Sequence, residues 1–133
     1  IDGVILEMTR KNIWESNKGN GRNTTANELL NMLANNSYIY QGDTVPEKER
    51  QTKANYNATL IFLDYLRGSS KYRSHFVKMD KTHREASARL QKGGSVTLDG
   101  KPIRTQSQLD SWYRTQENAI MQFTQQTNEL ILR

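Results

Sequence analysis

Tyr72, Phe76, Met79, His83, Ala86 and Leu90 recur at spacings of 4, 3, 4, 3 and 4 residues. That alternation winds along one side of an α-helix, and a partner helix has to cover it. Gly93-Gly94 ends the run, and Ser95-Val96-Thr97-Leu98-Asp99-Gly100-Lys101-Pro102-Ile103-Arg104 follows. Asp-Gly between two short β-prone runs signals a tight hairpin, because both turn residues must take left-handed backbone angles. Pro102 restricts the second strand to an edge. A second seam comes next: Leu109, Trp112 or Tyr113, Gln116, Ile120, Phe123, Thr127 and Leu130. It belongs to a helix capped by Thr105 or Ser107 and reaching about Leu132. The first seam lies on a helix capped by Ser69 or Ser70 and reaching about Lys92. Helix, hairpin and helix in this order predict two long helices folded antiparallel on each other.

The rest of the chain reads as shorter helices. Residues 4–16 place Ile5, Met8 and Asn12 on one helical line, with Val4, Ile13 and Trp14 beside it. Residues 18–23 hold two glycines and two asparagines and read as a loop. Thr25 with Glu28 makes a capping box for a helix from Ala26 to about Asn35 that buries Leu29, Leu30, Met32 and Leu33. Residues 35–44 read as an irregular connection, with Tyr38-Ile39-Tyr40 extended. A third helix over Pro46–Arg67 carries Glu47 and Glu49 at its positive end. Tyr56, Leu60 and Leu63, with Ile61, Phe62, Tyr65 and Leu66, make its second half apolar on most sides and therefore central to the core. Gly68 stops it. The expected fold is all-α: a helical bundle with an antiparallel long-helix pair and one small β-hairpin. Its 133 residues suit a single domain, or a piece of a longer chain.

The net charge of +5 is local. Residues 45–105 carry 13 bases and 6 acids, while the segments on either side are each at −1. Lys71, Lys78, Lys81, Arg84, Arg89 and Lys92 fall on the flank of the fourth helix opposite its seam. Lys101 and Arg104 add to them from the hairpin, and Asp80 and Glu85 interrupt the patch. A basic flank calls for an acidic partner. Phosphates would be neutralised there, and Tyr72 would be available for base stacking.

Other chemistry finds little support. The chain has no cysteine, so disulfides, Cys-bound zinc and thiol catalysis are excluded. The two histidines, His75 and His83, lie two helical turns apart, and neither has two further ligands close in sequence. Paired carboxylates would come from Glu7 and Glu15, which a helical hydrolase would need in a cleft, or from Glu47 and Glu49. No nucleophile elbow, phosphate loop or dinucleotide loop is present. No cofactor and no catalysis are expected. The longest apolar run, residues 60–63, is far short of a membrane span. Asn23, Asn35 and Asn57 open N-x-[ST] triplets, the last inside a buried-looking helix. A chain starting at Ile1 is expected to be processed or cut from something longer, and a secreted or cell-surface location is expected over a cytoplasmic one.

The stretch Leu98-Asp99-Gly100 through Ser107-Gln108-Leu109-Asp110-Ser111-Trp112-Tyr113-Arg114-Thr115-Gln116-Glu117-Asn118-Ala119-Ile120-Met121, then Thr124-Gln125-Gln126-Thr127, resembles the start of the final long helix in type III secretion needle-tip proteins. Those proteins have a similar Trp, then a Gln-Glu-rich turn, then Thr/Gln-rich heptads. The resemblance implies a long antiparallel coiled coil with small flanking domains. It also implies a role in capping the secretion needle and placing translocators in a host membrane. Leu109, Trp112, Ile120, Phe123 and Leu130 would then be packing residues. Gly68-Ser69-Ser70 departs from the family by interrupting the other arm. The expected function is a non-enzymatic binding or assembly subunit of a bacterial secretion or surface apparatus. It would act through a protein partner or self-assembly, with Gln116, Gln126 and Thr127 turned to a second subunit. The alternative is a nucleic-acid-binding module using residues 71–92.

Overall fold

The computed structural model describes residues 2–20 and 24–132. In chain order the elements are α1 (Asp2–Asn20), β1 (Thr24–Thr25), α2 (Ala26–Tyr40), α3 (Glu47–Arg67), α4 (Arg73–Gln91), β2 (Val96–Leu98), β3 (Lys101–Ile103), α5 (Gln106–Thr127) and β4 (Leu130–Leu132). The class is all-α with two small antiparallel strand pairs, β1–β4 and β2–β3. The chain forms two compact units, Ile1–Ser69 with Thr124–Arg133, and Ser70–Phe123.

In the first unit α3 is the central element, as its apolar sequence requires. It buries Ala54, Ala58, Ile61, Phe62, Leu63 and Leu66. Its first half turns Ala54 and Asn57 inward and leaves Tyr56 64% exposed, so the expected Tyr56 line is displaced by one helical face. Leu29 and Leu33 of α2 are fully buried, whereas Leu30 and Met32 are half-buried. Between the two helices Asn57 Nδ2 donates to Ser37 Oγ at 2.8 Å, which satisfies two buried polar side chains. The cap at Thr25 forms as expected, with its hydroxyl accepting from the Glu28 N–H. The extended piece expected at Tyr38-Ile39-Tyr40 is helical instead. The last carbonyls of α2 have donors: the Gln41 side-chain amide reaches the Ser37 carbonyl at 3.2 Å, and Arg50 Nε reaches the Tyr38 carbonyl at 2.7 Å. The same guanidinium lies 4.0 Å from the Tyr38 ring centroid. With its C-terminal carbonyls satisfied, the helix has no reason to stop at Asn35.

α1 also runs longer than expected, through Lys18–Asn20; the rest of the expected loop, residues 21–23, lies outside the described residues. Its buried line is Ile5, Thr9 and Ile13, not Ile5, Met8 and Asn12. Thr9 can be buried because its hydroxyl donates back to the Ile5 carbonyl at 2.7 Å.

The C-terminal segment departs most from expectation. α5 ends at Thr127, and Asn128 takes a left-handed φ of +47°. Leu130–Leu132 then pairs with Thr24–Thr25. The first amides of α2, which have no acceptors inside their own helix, find them here. The Ala26 N–H donates to the Glu129 carbonyl at 2.6 Å and the Asn27 N–H to Asn128 Oδ1 at 3.1 Å. Leu130 is therefore a strand residue and not part of a helical seam.

In the second unit α4 starts at Arg73, preceded by Tyr72 with no side-chain cap, so neither Ser69 nor Ser70 caps it. Its seam is as expected: Tyr72, Phe76, Met79 and Ala86 are buried, and His83 and Leu90 are half-buried. α4 meets α5 antiparallel. The Tyr113 hydroxyl donates to Asp80, His83 Nε2 lies 3.0 Å from Asp110 Oδ1, and the Ser87 hydroxyl donates to Gln106 Oε1 at 3.1 Å. Each turn toward the end of α4 is matched by a turn back along α5. The hairpin between them forms as read, with Val96 opposite Ile103, Thr97 opposite Pro102 and Leu98 opposite Lys101. Asp99 and Gly100 have φ of +51° and +77°, as a two-residue turn of this hand demands. Pro102 costs no ladder bond because residues opposite each other alternate between bonded and non-bonded pairs, and Thr97–Pro102 is a non-bonded one. Ala86, Ile103 and Leu109 form a small core, covered by Leu90, Val96, Leu98 and Trp112. Thr105 starts α5 by accepting from the Gln108 N–H at 3.1 Å, and Gln108 Oε1 accepts in return from the Arg104 and Thr105 amides.

Candidate functional site

α4 turns one face inward and keeps the other for solvent. Successive residues step by about 100° around a helix, which sets Lys78, Lys81, Arg84 and Arg89 within one arc of roughly 140° opposite the seam. All four are exposed, and among the described residues none of them forms an ion pair. Val77 lies within the same face, 60% exposed. Asp80, expected to interrupt the patch, is half-buried toward α5, where it accepts from Tyr113. Glu85 is the acid that remains on the face. Lys92 follows the helix end, and Lys101 and Arg104 are exposed on the hairpin side. Lys71 lies apart: its ammonium is 5.5 Å from the Tyr72 ring centroid and 5.6 Å from that of Phe123, within cation–π reach. Tyr72 is only 6% exposed, so it offers no ring for base stacking.

An open groove of about 460 Å³ adjoins this face. Thr82, Glu85, Ala86 and Arg89 of α4 form one wall, and Val96, Thr97 and Leu98 of β2 the other. No local spacing signals it, because its two walls come from elements whose separation depends on how the hairpin folds back.

At the α4–α5 contact His83 stacks edge-on against Tyr113, with ring centroids 5.4 Å apart. Asp110 accepts from His83 and, at 3.2 Å, from Gln106 Nε2. The hydrogen bond from His83, the largest cause, holds the Asp110 carboxyl below its ordinary value of 3.8 against the opposing effect of desolvation, with Gln106 adding to the lowering. His83 is therefore a half-buried seam residue with a carboxylate partner, and His75 is exposed. Among the described residues no three His, Asp or Glu side chains are grouped to hold a metal ion. Glu7, Glu15, Glu47 and Glu49 are all exposed, and Glu49 pairs with Lys53 one turn on, at 3.2 Å. In the first unit burial pushes the Tyr65 phenol above 10.0, against the opposing pull of Arg10. Its hydroxyl has no hydrogen-bond partner among the described residues.

The five residues singled out for packing separate sharply. Leu109 is fully buried, and Trp112 and Ile120 are half-buried. Phe123 is 47% exposed, and Leu130, in β4, is 43% exposed. Gln116, expected to face a second subunit, donates instead to Asp99 Oδ2 at 3.1 Å. Thr127 is likewise engaged, donating to Glu129 Oε1 at 3.2 Å. Gln126 is exposed. Of the N-x-[ST] triplets, Asn57 is buried against Ser37, Asn35 is exposed on α2, and Asn23 lies outside the described residues.

No family model matches the chain, and comparison with curated proteins and with solved structures finds no match. No helix among the described residues is long and apolar enough to cross a membrane.

Proposed function

We propose that the chain is a non-enzymatic helical binding subunit that presents the solvent face of α4 to an acidic partner protein. One observation carries the reading: Lys78, Lys81, Arg84 and Arg89 share a face and have no ion pair among the described residues. The seam behind them is buried or half-buried, so what α4 offers outward is charge. Unpaired cations over a low-dielectric wall attract acidic surfaces and speed their encounter. The finer reading places the subunit in a bacterial secretion or surface apparatus. It rests on the resemblance of residues 98–127 to needle-tip proteins and on the antiparallel α4–α5 pair.

The second reading is nucleic-acid binding through the same cations. The burial of Tyr72 leaves phosphate neutralisation as its basis. Fluorescence anisotropy with labelled polyglutamate and with a labelled generic duplex, at about 50 and 200 mM salt, separates the two. The expected result is micromolar binding of polyglutamate that disappears in the Lys78→Glu/Lys81→Glu double variant, with weaker binding of the duplex. Duplex binding at least tenfold tighter than polyglutamate, collapsing at the higher salt, would replace the first reading by the second.

A further inference from the structure

We propose that the groove between α4 and β2 receives an extended acidic peptide of a partner protein, which adds as a third strand to the outer edge of β2. The inference rests on the acidic-partner reading above and names how the partner would be held.

β2 pairs with β3 on one side, and its other side faces the groove. In the observed register Leu98–Lys101 closes the turn and is a bonded pair, so Thr97, one residue on, is not bonded to β3. Its N–H and C=O therefore point away from β3, toward the open side. Thr97 is exposed and has no backbone partner among the described residues. An incoming strand can pair with those two groups, the mode by which exposed sheet edges take up peptides.

The walls then set which side chains fit. Residues of an added strand that flank the one opposite Thr97 point the same way as Val96 and Leu98, toward α4. There they meet the half-buried Val96 and Leu98, which line the groove beside Ala86, and the guanidinium of Arg89, which has no ion pair among the described residues. One inward residue should therefore be apolar and the other acidic, giving an apolar-x-acidic pattern. Glu85 on the same wall disfavours a second acid in the groove and so fixes the direction of the peptide. Lys78, on the same line of α4 as Arg89 about 16 Å away, extends the attraction for an acidic flank. Lys101 and Arg104 leave the hairpin side basic as well.

The test uses a fluorescein-labelled peptide of repeated Val-Ser-Glu, with Val-Ser-Lys as control, against the full chain. The Val-Ser-Glu peptide is expected to bind, to slow hydrogen exchange at the Thr97 amide, and to lose at least tenfold in affinity with Arg89→Glu. Thr97→Pro should weaken it to the same degree while the Asp99–Gly100 turn signals stay unchanged in the NMR spectrum, since the Thr97 N–H is not part of the β2–β3 ladder. Binding that is abolished by Lys78→Glu/Lys81→Glu but unaffected by Thr97→Pro, with no protection of Thr97, would overturn strand addition and leave the acidic-partner reading standing. Failure of both this peptide and polyglutamate to bind at low salt would overturn both. Thr97 protection that grows with protein concentration without peptide would show a second copy as the occupant and overturn the peptide.

Discussion

The Trp112 indole N–H donates to the Asp99 carboxylate at 2.9 Å, tying the tip of the hairpin to the second turn of α5. Gln116 holds the same oxygen from one turn further on, at 3.1 Å. Asp99 also has a left-handed φ of +51°, which Asp and Asn tolerate and other side chains resist. One residue thus sets both the turn and its anchorage. Asp99→Ala should destabilise the second unit by about 1–2 kcal/mol through backbone strain, with further loss from the missing acceptor. Asp99→Asn keeps the backbone preference and one acceptor oxygen, and should cost less than half as much. Urea unfolding followed by Trp fluorescence measures both. Equal losses in the two variants would mean that the turn conformation contributes nothing.

Asn128 has a corresponding double role at the other end of α5. Its φ is +47°, and its side-chain oxygen caps the Asn27 amide. Asn128→Ala removes a cap worth about 1 kcal/mol and adds left-handed strain of about 1–2 kcal/mol. Asn128→Gly removes the cap alone. The denaturation midpoint is expected to fall for both, and by clearly more for alanine. Hydrogen exchange at the Asn27 amide should quicken in both variants.

The contrast between these two anchors shows what the sequence made legible. The hairpin could be read because Asp-Gly acts on its immediate neighbours, and Thr25 and Thr105 could be read as caps for the same reason. The α4 seam could be read because burial imposes its period directly on the residues. The end of α5 could not, because nothing in the sequence around Leu130 reveals that the first amides of α2, about a hundred residues away, are short of acceptors. α2 passes Asn35 for a similar reason: Arg50 of the next helix supplies the donor. The basic flank was legible as a helical face. Asp80 turns away from that face because a carboxylate at the edge of a seam can turn either way, and the position of Tyr113 decides. The groove depends on the fold of the hairpin over α4, which no local spacing encodes.

The Asp110 carboxyl should make stability depend on acid pH. Its folded value lies below 3.8, chiefly through the hydrogen bond from His83. A depressed carboxylate contributes stability that is present above its unfolded value and is lost as pH falls through its folded value. The wild-type chain should therefore lose stability progressively below about pH 4. Asp110→Asn should flatten that limb without changing the behaviour between about pH 8 and 9. Urea midpoints collected in half-unit steps of pH check the prediction, and an unchanged acid limb in the variant would assign the loss to other carboxylates. Because Asp110 is exposed, the effect should shrink in about 1 M salt.

Leu109 and Phe123 lie on the same expected seam of α5, two heptads or about four helical turns apart, yet the structure gives them different roles. Leu109 is fully buried with Ala86 and Ile103, beneath the hairpin. Phe123 is about half exposed, with the Lys71 ammonium above its ring. Leu109→Ala should cost about 2–5 kcal/mol, the range for a buried leucine whose surroundings collapse only in part. Phe123→Ala should cost under about 1 kcal/mol, because nearly half of its area is already in water and an exposed cation–π contact is weak. Equal losses would show that the two residues pack alike, as members of one continuous coiled-coil seam. A large loss at Leu109 together with a small one at Phe123 would show that Phe123 itself adds little to the packing, although Tyr72 and Phe76 at that end of α4 are buried.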